Sequence, residues 1–525
     1  MRRTRAPRHN DSTVRARLRA RGASRRCARL SFAHMTTPAT QLIIPRLSWD
    51  ASRGFDASRS TIERALALGV GGVVLGPAPQ EDVRALTKEL RARTKQPLLV
   101  AANLERGAGQ LFSGATGLPP LAAIASLNEP ETLRKAARLT GREARNIGVN
   151  WALAPVLDLD LVPENPIVGS RSLGANAETV SKLGEAWIEA CQQEGVLACA
   201  KHFPGHGRTT TDSHLERSIV RASRHELMAH DIQPFRAAIK ANVGSVMTAH
   251  VLYPALDPSG ALATLSMAII RVLLRERLGF EGLVVTDALD MRGLAEVADE
   301  SQAAVGALFA GCDLILGPTD LDGVARAIDD AVADGTLDEE LLLRSQRRRL
   351  KWAQWASPPN EWRKASTYDI AAAADLAERV VRMVRGGPTD LGRSVHLTVI
   401  DDDAENASLG PPSRAPFAAA LRASSVAIAT PDANDQRSAS LIAVFGDVLG
   451  GKGRVAYSSE TLAAVGRAVL CARDSGRQCL VMQFGHPRLA AELPGDHVAT
   501  AWSGDRVMQD AAARWIAKGG AREHA

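Results

Sequence analysis

The feature that most limits what this chain can fold into is an alternation. Eight short apolar runs recur at 42–45, 71–75, 97–103, 149–157, 196–202, 245–251, 282–287 and 313–317. Most are rich in Val, Ile, Leu or Ala and do not alternate with polar residues, as expected of strands buried on both faces. Between them lie stretches with helical spacing at 60–68, 80–92, 130–146, 177–194, 224–241, 267–278, 301–310 and 321–334. Eight strand–helix units in succession predict an α/β fold of the (β/α)8 TIM type. From the pattern alone, a doubly wound open sheet is the alternative.

A helix is expected at 338–355, and Ser357-Pro358-Pro359-Asn360 then breaks the pattern. A further helix is predicted at 368–384, up to Gly386-Gly387-Pro388. Strand-like runs follow at 395–400, 426–430, 441–445, 479–484 and 498–501, with helical stretches at 415–422, 460–472 and 506–518. The expected organisation is a basic arm over 1–38, a catalytic barrel over 39–356, a linker and helix over 357–392, and a smaller α/β sandwich over 393–525. Gly450-Gly451-Lys452-Gly453 lacks the spacing of a phosphate loop and reads as a turn.

Polar residues sit at the ends of the runs: Asn103 and Glu105, Asp158, Lys201 and His202, His250, and Asp287. In a barrel these ends converge on one mouth. The densest stretch is Lys201-His202-Phe203-Pro204-Gly205-His206-Gly207, then Thr211-Asp212-Ser213-His214. A buried strand delivers Lys201 and His202, and a loop carries Asp212 and His214. A carboxylate that accepts from one imidazole nitrogen fixes the tautomer and makes the other nitrogen the better proton carrier. A solvated polar loop is the bland alternative. A metal site built from His202, His206, His214 and Asp212 is another, but their spacing fits no zinc pattern and Lys201 would repel a cation. Neither a metal nor a cofactor is expected.

Asp287 stands at the end of the run 282–287, with a buried strand behind it and the mouth ahead. Asp290 lies in the following loop and is the weaker candidate. Cleaving a glycosidic bond needs a nucleophile on one face and a proton donor at the leaving oxygen. Asp287 and the Asp212–His214 pair could supply both.

The net charge of +6 is concentrated at one end, where residues 1–35 hold eleven Arg against one acid, Asp11. The remainder carries no basic footprint for nucleic acid. The arm has no apolar core of a secretory signal. It is expected to lack fixed structure, as a tail, a transit-like segment or leader sequence ahead of Met35. The six cysteines are scattered without a Cys-x2-Cys pair, which suggests reduced thiols in a cytoplasm. No apolar run is long enough to span a membrane.

Taken together, these residues resemble family-3 glycoside hydrolases, in the bacterial β-N-acetylhexosaminidase branch. The resemblance rests on 201–207 with 211–214, on Ala154-Pro155-Val156-Leu157-Asp158, and on 165–174 (Asn-Pro-Ile-Val-Gly-Ser-Arg-Ser-Leu-Gly). Ser245-Val246-Met247-Thr248-Ala249-His250, Asp257-Pro258, 263–266 and Asp287-Ala288-Leu289-x-Met291 extend it. It covers roughly residues 40–350, and the C-terminal part is similar to a second domain that some members carry.

The resemblance implies a retaining exo-glycosidase acting on a carbohydrate, with N-acetylglucosamine from cell-wall fragments as the expected sugar. Asp287 would be the nucleophile, His214 the acid/base and Asp212 its orienting partner. Lys201, His202 and Arg171 would hold sugar hydroxyls, with Asn103, Glu105, Asp158 and His250 also around the sugar. The family pattern Asp-x-Glu-Gly-Gly-Arg-x-x-Arg is altered here: Asn103 takes the first Asp position and Leu111 the last Arg position. A neutral amide at 103 gives up a charge-assisted bond to a hydroxyl. The alternatives are a β-glucosidase or β-xylosidase, a phosphorylase in which a neutral imidazole admits phosphate, and an inactive sugar-binding barrel. The sequence leaves the oligomeric state open.

Overall fold

The structure, a computed structural model, describes residues 39–356, 365–387, 389–403, 414–429, 438–448, 452 and 454–520. The expected arm and the Pro-containing break at 357–360 lie outside the described residues, as do Gly450, Gly451 and Gly453 of the expected turn.

Pro45 has no N–H to give to a ladder, and it splits strand β1 into Ile43–Ile44 and Arg46–Leu47. The two halves serve different neighbours. Arg46 and Leu47 pair with Val74 and Leu75 of β2 (Gly72–Leu75), and Ile43 and Ile44 pair with β8 (Ile315–Leu316), all in parallel. Between these lie β3 (Leu99–Ala102), β4 (Trp151–Ala152), β5 (Leu197–Phe203), β6 (Ser245–Thr248) and β7 (Leu283–Val285). Each pairs in parallel with the strand before it. A parallel bridge between Val285 and Leu314 joins β7 to β8, so the ring closes as a (β/α)8 barrel. The residues of β2 through β8 are buried throughout, which explains their unalternating apolar sequence. The fourth run is shorter as a ladder than its apolar length, because Pro155 interrupts pairing before the bridge from Val156 to Lys201.

The outer ring consists of α1 (Arg59–Leu68), α2 (Gln80–Arg93), α3 (Pro130–Asn146), α4 (Ala177–Gln193), α5 (Gln233–Lys240), α6 (Ala268–Arg277), α7 (Glu300–Ala310) and α8 (Leu321–Ala333). The stretch 224–241, expected as one helix, is broken into a turn, a wide five-residue winding and α5, whose first turn holds Pro234. Asn176 and Asp320 cap α4 and α8 by accepting from the N–H groups of Thr179 and Gly323.

The last barrel helix, α9 (Glu339–Trp355), closes the N-terminal end of the ring. Its Arg349, only 1% exposed, reaches under the strands. One terminal nitrogen donates to the carbonyls of Pro97 at 2.9 Å and Gly71 at 3.4 Å, and the other to the amide oxygens of Gln41 and Gln96, both at 2.9 Å. These partners are all neutral, and burial pushes the guanidinium down to about 10. Nearby, Asp313 is fully buried between Arg275, Arg348, the Ser345 hydroxyl and the N–H of Val284.

The C-terminal part forms a second sheet. Its strands are β9 (Arg382–Arg385), β10 (Ser394–Asp401), β11 (Ala427–Ile428), β12 (Ala439–Phe445), β13 (Cys479–Phe484) and β14 (Val498–Thr500), in the order β9-β14-β13-β12-β10-β11. All pair in parallel except β9, which runs antiparallel on the edge. Side chains of β12 alternate strictly between two layers. Ile442 and Val444 join Val465 and Val469 of α12 (Ser459–Asp474). Leu441, Ala443 and Phe445 face Phe417 of α11 (Ala415–Ala423) and Met508 of α13 (Arg506–Ala517), in one apolar cluster with the barrel core.

The helix expected at 368–384 is corrected. The helix α10 (Thr367–Arg379) stops early, and 382–385 is the edge strand β9. The β-branched run around Val380, Val381 and Val384 finds a partner in β14, and the indole N–H of Trp502 takes the carbonyl of Val380 at 2.8 Å.

The chain reverses its direction of travel across this sheet between β10 and β12, the place where open α/β sheets form a crevice at the strand ends. The barrel loop 165–171 meets that crevice. Ser170 donates to Asp447 Oδ2 at 3.1 Å, and Val448 abuts Gly169. Arg488 holds Asp160 at 2.7 Å and the Asn165 carbonyl at 3.3 Å, and Arg106 pairs with Asp505. Among the described residues no helix is long and apolar enough to cross a membrane.

Candidate active site

At the C-terminal end of β3, Asn103 is exposed at the mouth and Glu105 is buried. Glu105 meets two cations. Arg171 donates through Nε and Nη2 to its two oxygens at 2.9 and 2.8 Å, and Lys201 Nζ lies 2.7 Å from Oε1. Burial would raise the Glu105 carboxyl, but Arg171 and Lys201 outweigh it and hold the group well below the usual range. Lys201 also donates to Asn103 Oδ1 at 3.0 Å. The expected residues Asn103, Glu105, Arg171 and Lys201 therefore form one linked cluster. Both cations share a single carboxylate, with donors to spare for hydroxyl groups.

Asp158 is fully buried below His202. It accepts from the backbone N–H of His202 at 3.1 Å, from its ring Nδ1 at 2.6 Å, and from the N–H of His206 at 2.6 Å. A carboxylate can only accept, so the His202 proton sits on Nδ1 and Nε2 is the outward atom. Asp158 thus orients His202. His250 is likewise turned inward, 1% exposed. Its Nε2 donates to the carbonyl of Ala288 at 3.1 Å and Nδ1 meets the Thr264 hydroxyl at 2.8 Å. Burial pushes this imidazole below its usual pKa. It stands directly behind the nucleophile candidate.

Asp287 follows β7 at the mouth, where its Oδ1 accepts from the N–H of Ala288 at 2.8 Å. Burial alone would raise its carboxyl. The imidazoles of His202, His250 and His214 outweigh that and bring it to about 2, so it is ionised at neutral pH. Asp290, the weaker candidate, points elsewhere and pairs with Arg46 at 3.2 Å on the rim.

The loop after β5 carries the expected Asp212–His214 pair. Asp212 is buried and accepts at one oxygen both from the backbone N–H of His214 and from its Nδ1, each at 2.8 Å. The His214 side chain is 43% exposed, which leaves Nε2 open to exchange protons with substrate and water. The loop is tied at its neck by Thr211 and Ser218, whose hydroxyls lie 2.9 Å apart. On its inner side Ser213 meets Nε2 of His206 at 2.9 Å, and Thr209 takes Nδ1 at 2.9 Å. Burial lowers His206 to about 4, so it serves the loop as a neutral brace. Among the described residues no group of three or more His, Cys, Asp or Glu is arranged to hold a metal ion.

Sequence reasoning placed Ser213 and Thr264 inside motif segments but did not pair them with His206 and His250, and it missed Asp447 as the partner of Ser170. Only the folded neighbour reveals each pairing. A paired Asp–His and an ionised aspartate at the mouth of a closed parallel barrel are a proton carrier and a nucleophile of the kind that glycosidic bond cleavage requires. Residues 39–351 match the glycosyl hydrolase family 3 N-terminal domain, and the chain belongs to that family.

Its relatives agree. It is 40% identical over 284 residues to a beta-N-acetylglucosaminidase/beta-glucosidase of Cellulomonas fimi, a match covering 52% of this chain and 50% of that protein. The chain therefore spans about half the length of that relative. It is 33% identical over 303 residues to a beta-hexosaminidase of Glaesserella parasuis serovar 5, covering 56% of this chain and 88% of that protein. Among solved structures, a family 3 beta-N-acetylglucosaminidase from Paenibacillus sp. FPU-7 superposes with a TM-score of 0.79 at 26% identity, covering 93% of this chain and 97% of the other. A beta-glucoside phosphorylase bound to 2FGlc shares the fold with a TM-score of 0.79 at 21% identity, covering 93% and 92%.

Proposed function

We propose that this chain is a retaining exo-β-glycosidase that releases terminal β-linked N-acetylhexosamine through a covalent glycosyl ester on Asp287. The observation that carries this is the Asp212–His214 pair, fixed in one tautomer, near an Asp287 that is ionised at neutral pH. In the first half-reaction an Asp287 oxygen attacks the anomeric carbon, and imidazolium His214 gives its Nε2 proton to the departing oxygen. In the second, neutral His214 takes a proton from water as the hydroxyl attacks the same carbon and frees Asp287. Lys201, Arg171, Asn103 and Nε2 of His202 offer donors and acceptors to sugar hydroxyls, with Glu105 holding both cations. Asp158 and His250 fix His202 and the Asp287 turn from behind.

N-acetylhexosamine is favoured by the printed activities of the relatives. Recycled cell-wall fragments in the cytoplasm are the proposed source, in keeping with five unpaired cysteines among the described residues. Phosphorolysis is the alternative, favoured by an acid/base that carries no negative charge and so does not repel phosphate. A panel of nitrophenyl glycosides, assayed with and without phosphate, decides. Fastest release from the N-acetylglucosaminide with free sugar as product is expected. A sugar phosphate as main product establishes phosphorolysis, and preference for glucoside or xyloside overturns the sugar assignment. Asp287→Ala should abolish turnover on every substrate.

A further inference from the structure

The acid/base loop has a third attachment besides its neck and His206. Five residues after Asp287, the short helical turn Arg292–Ala295 begins and lies under the loop. Gly293 is buried there, and its N–H donates to the Ser213 carbonyl at 3.2 Å. A Cβ at this position would stand 2.8 Å from the Ser213 carbonyl oxygen and 2.9 Å from that of Glu216. Both are backbone atoms, which cannot swing aside as a flexible side chain would. Gly293 sits in an ordinary helical conformation, so a methyl group would meet the loop rather than strain its own backbone. The two carbonyls flank His214 on either side. Leu294, 1% exposed, anchors the same turn in the barrel core.

We propose that Gly293 is a positioning residue: close contact of its bare backbone with the Ser213 and Glu216 carbonyls sets the distance between His214 and Asp287. The nucleophile and the anchor lie on one short segment, so the acid/base loop is registered directly against the strand end that carries the nucleophile. This rests on the assignment of Asp287 and His214 made above. Displacing the loop by a fraction of an ångström should weaken proton transfer while leaving the nucleophile in place. The loss should therefore concentrate on substrates whose leaving group needs a proton.

The test compares kcat/KM for a nitrophenyl glycoside and the methyl glycoside of the same sugar in wild type, Gly293→Ala, His214→Ala and Gly466→Ala. The ratio of the two values comes from one sample and does not depend on the fraction folded. Gly466 is a matched control in α12, where an added Cβ meets nothing closer than Pro494 at 3.9 Å. His214→Ala should raise the nitrophenyl-to-methyl ratio most, up to the ~10²–10⁴-fold that acid–base assistance provides. Gly293→Ala should raise it about tenfold, in line with the steep cost of small misplacements, and Gly466→Ala should leave it unchanged. If Gly293→Ala does not accumulate, Leu294→Val loosens the same turn and should move the ratio in the same direction. A ratio within twofold of wild type in the Gly293 and Leu294 variants, with His214→Ala raised, overturns the role of Gly293. An unchanged ratio in His214→Ala removes the acid/base assignment itself, and the role of Gly293 falls with it.

Discussion

Asp447 offers a quantitative test of the contact between the barrel and the second sheet. It is 2% exposed, between the Ser170 hydroxyl, the N–H of Val448 and the carboxylate of Asp403. Burial raises its carboxyl, Arg106 pulls it back, and Asp403 lifts it again, from 3.8 to about 6. The folded protein therefore holds this proton more tightly than the unfolded chain. Between those values the native state binds more protons, so the contribution to stability is fully present below the unfolded pKa and is lost as pH rises through the folded one. A rise from 3.8 to about 6 corresponds to about 3 kcal/mol at neutral pH. Asp447→Asn keeps an acceptor for Ser170 and cannot ionise. Urea unfolding of both proteins from pH 4.5 to 8 should show the variant gaining on wild type as pH rises, approaching about 3 kcal/mol above pH 7. A difference that is flat with pH, or that grows toward acid, would refute this account of the interface.

Three further outcomes are expected. Glu105→Gln leaves Lys201 and Arg171 buried without their shared counter-charge, which should cost about 3–5 kcal/mol in a denaturation midpoint and raise KM. Asp290→Asn breaks only a rim pair with Arg46 and should change stability by less than about 1 kcal/mol while keeping most of the turnover, in contrast to Asp287→Asn, as steady-state assays would report. Exhaustive chelation should leave the rate unchanged, and a loss restored by added zinc would contradict a metal-free mechanism.

Much of the barrel can be read from the chain because strands buried on both faces must be continuously apolar, and every ladder except the Arg46–Leu47 half of β1 falls largely in an apolar run. The candidate site was legible for a related reason: polar residues at the ends of such runs have few places to go but the mouth. What could not be read was direction. Asp158 and His250 stand at strand ends like Lys201, yet they turn beneath His202 and Asp287, because the neighbours that receive them come from distant segments. Val380 to Val384 fits either helix or strand, and only the free edge of β14 decides. Gly293 looks like any helix-weakening glycine until the Ser213 and Glu216 carbonyls are placed against it.

The seal beneath the barrel has a consequence for how the protein comes into being. Arg349 fastens Gln41, Gly71, Gln96 and Pro97, partners that lie 308, 278, 253 and 252 residues earlier. The seam between Ile43 and Ile315 closes over a similar span. At ~5–20 residues per second, a ribosome needs roughly 15–60 s to travel from Gln41 to Arg349. During that time Ile43 and Ile44 have neither their lateral partner nor their floor, and the nascent half-barrel presents an open sheet edge. Contacts this distant in sequence also make spontaneous refolding slow. The last helix of the barrel is therefore the element whose arrival lets both the seam and the floor close.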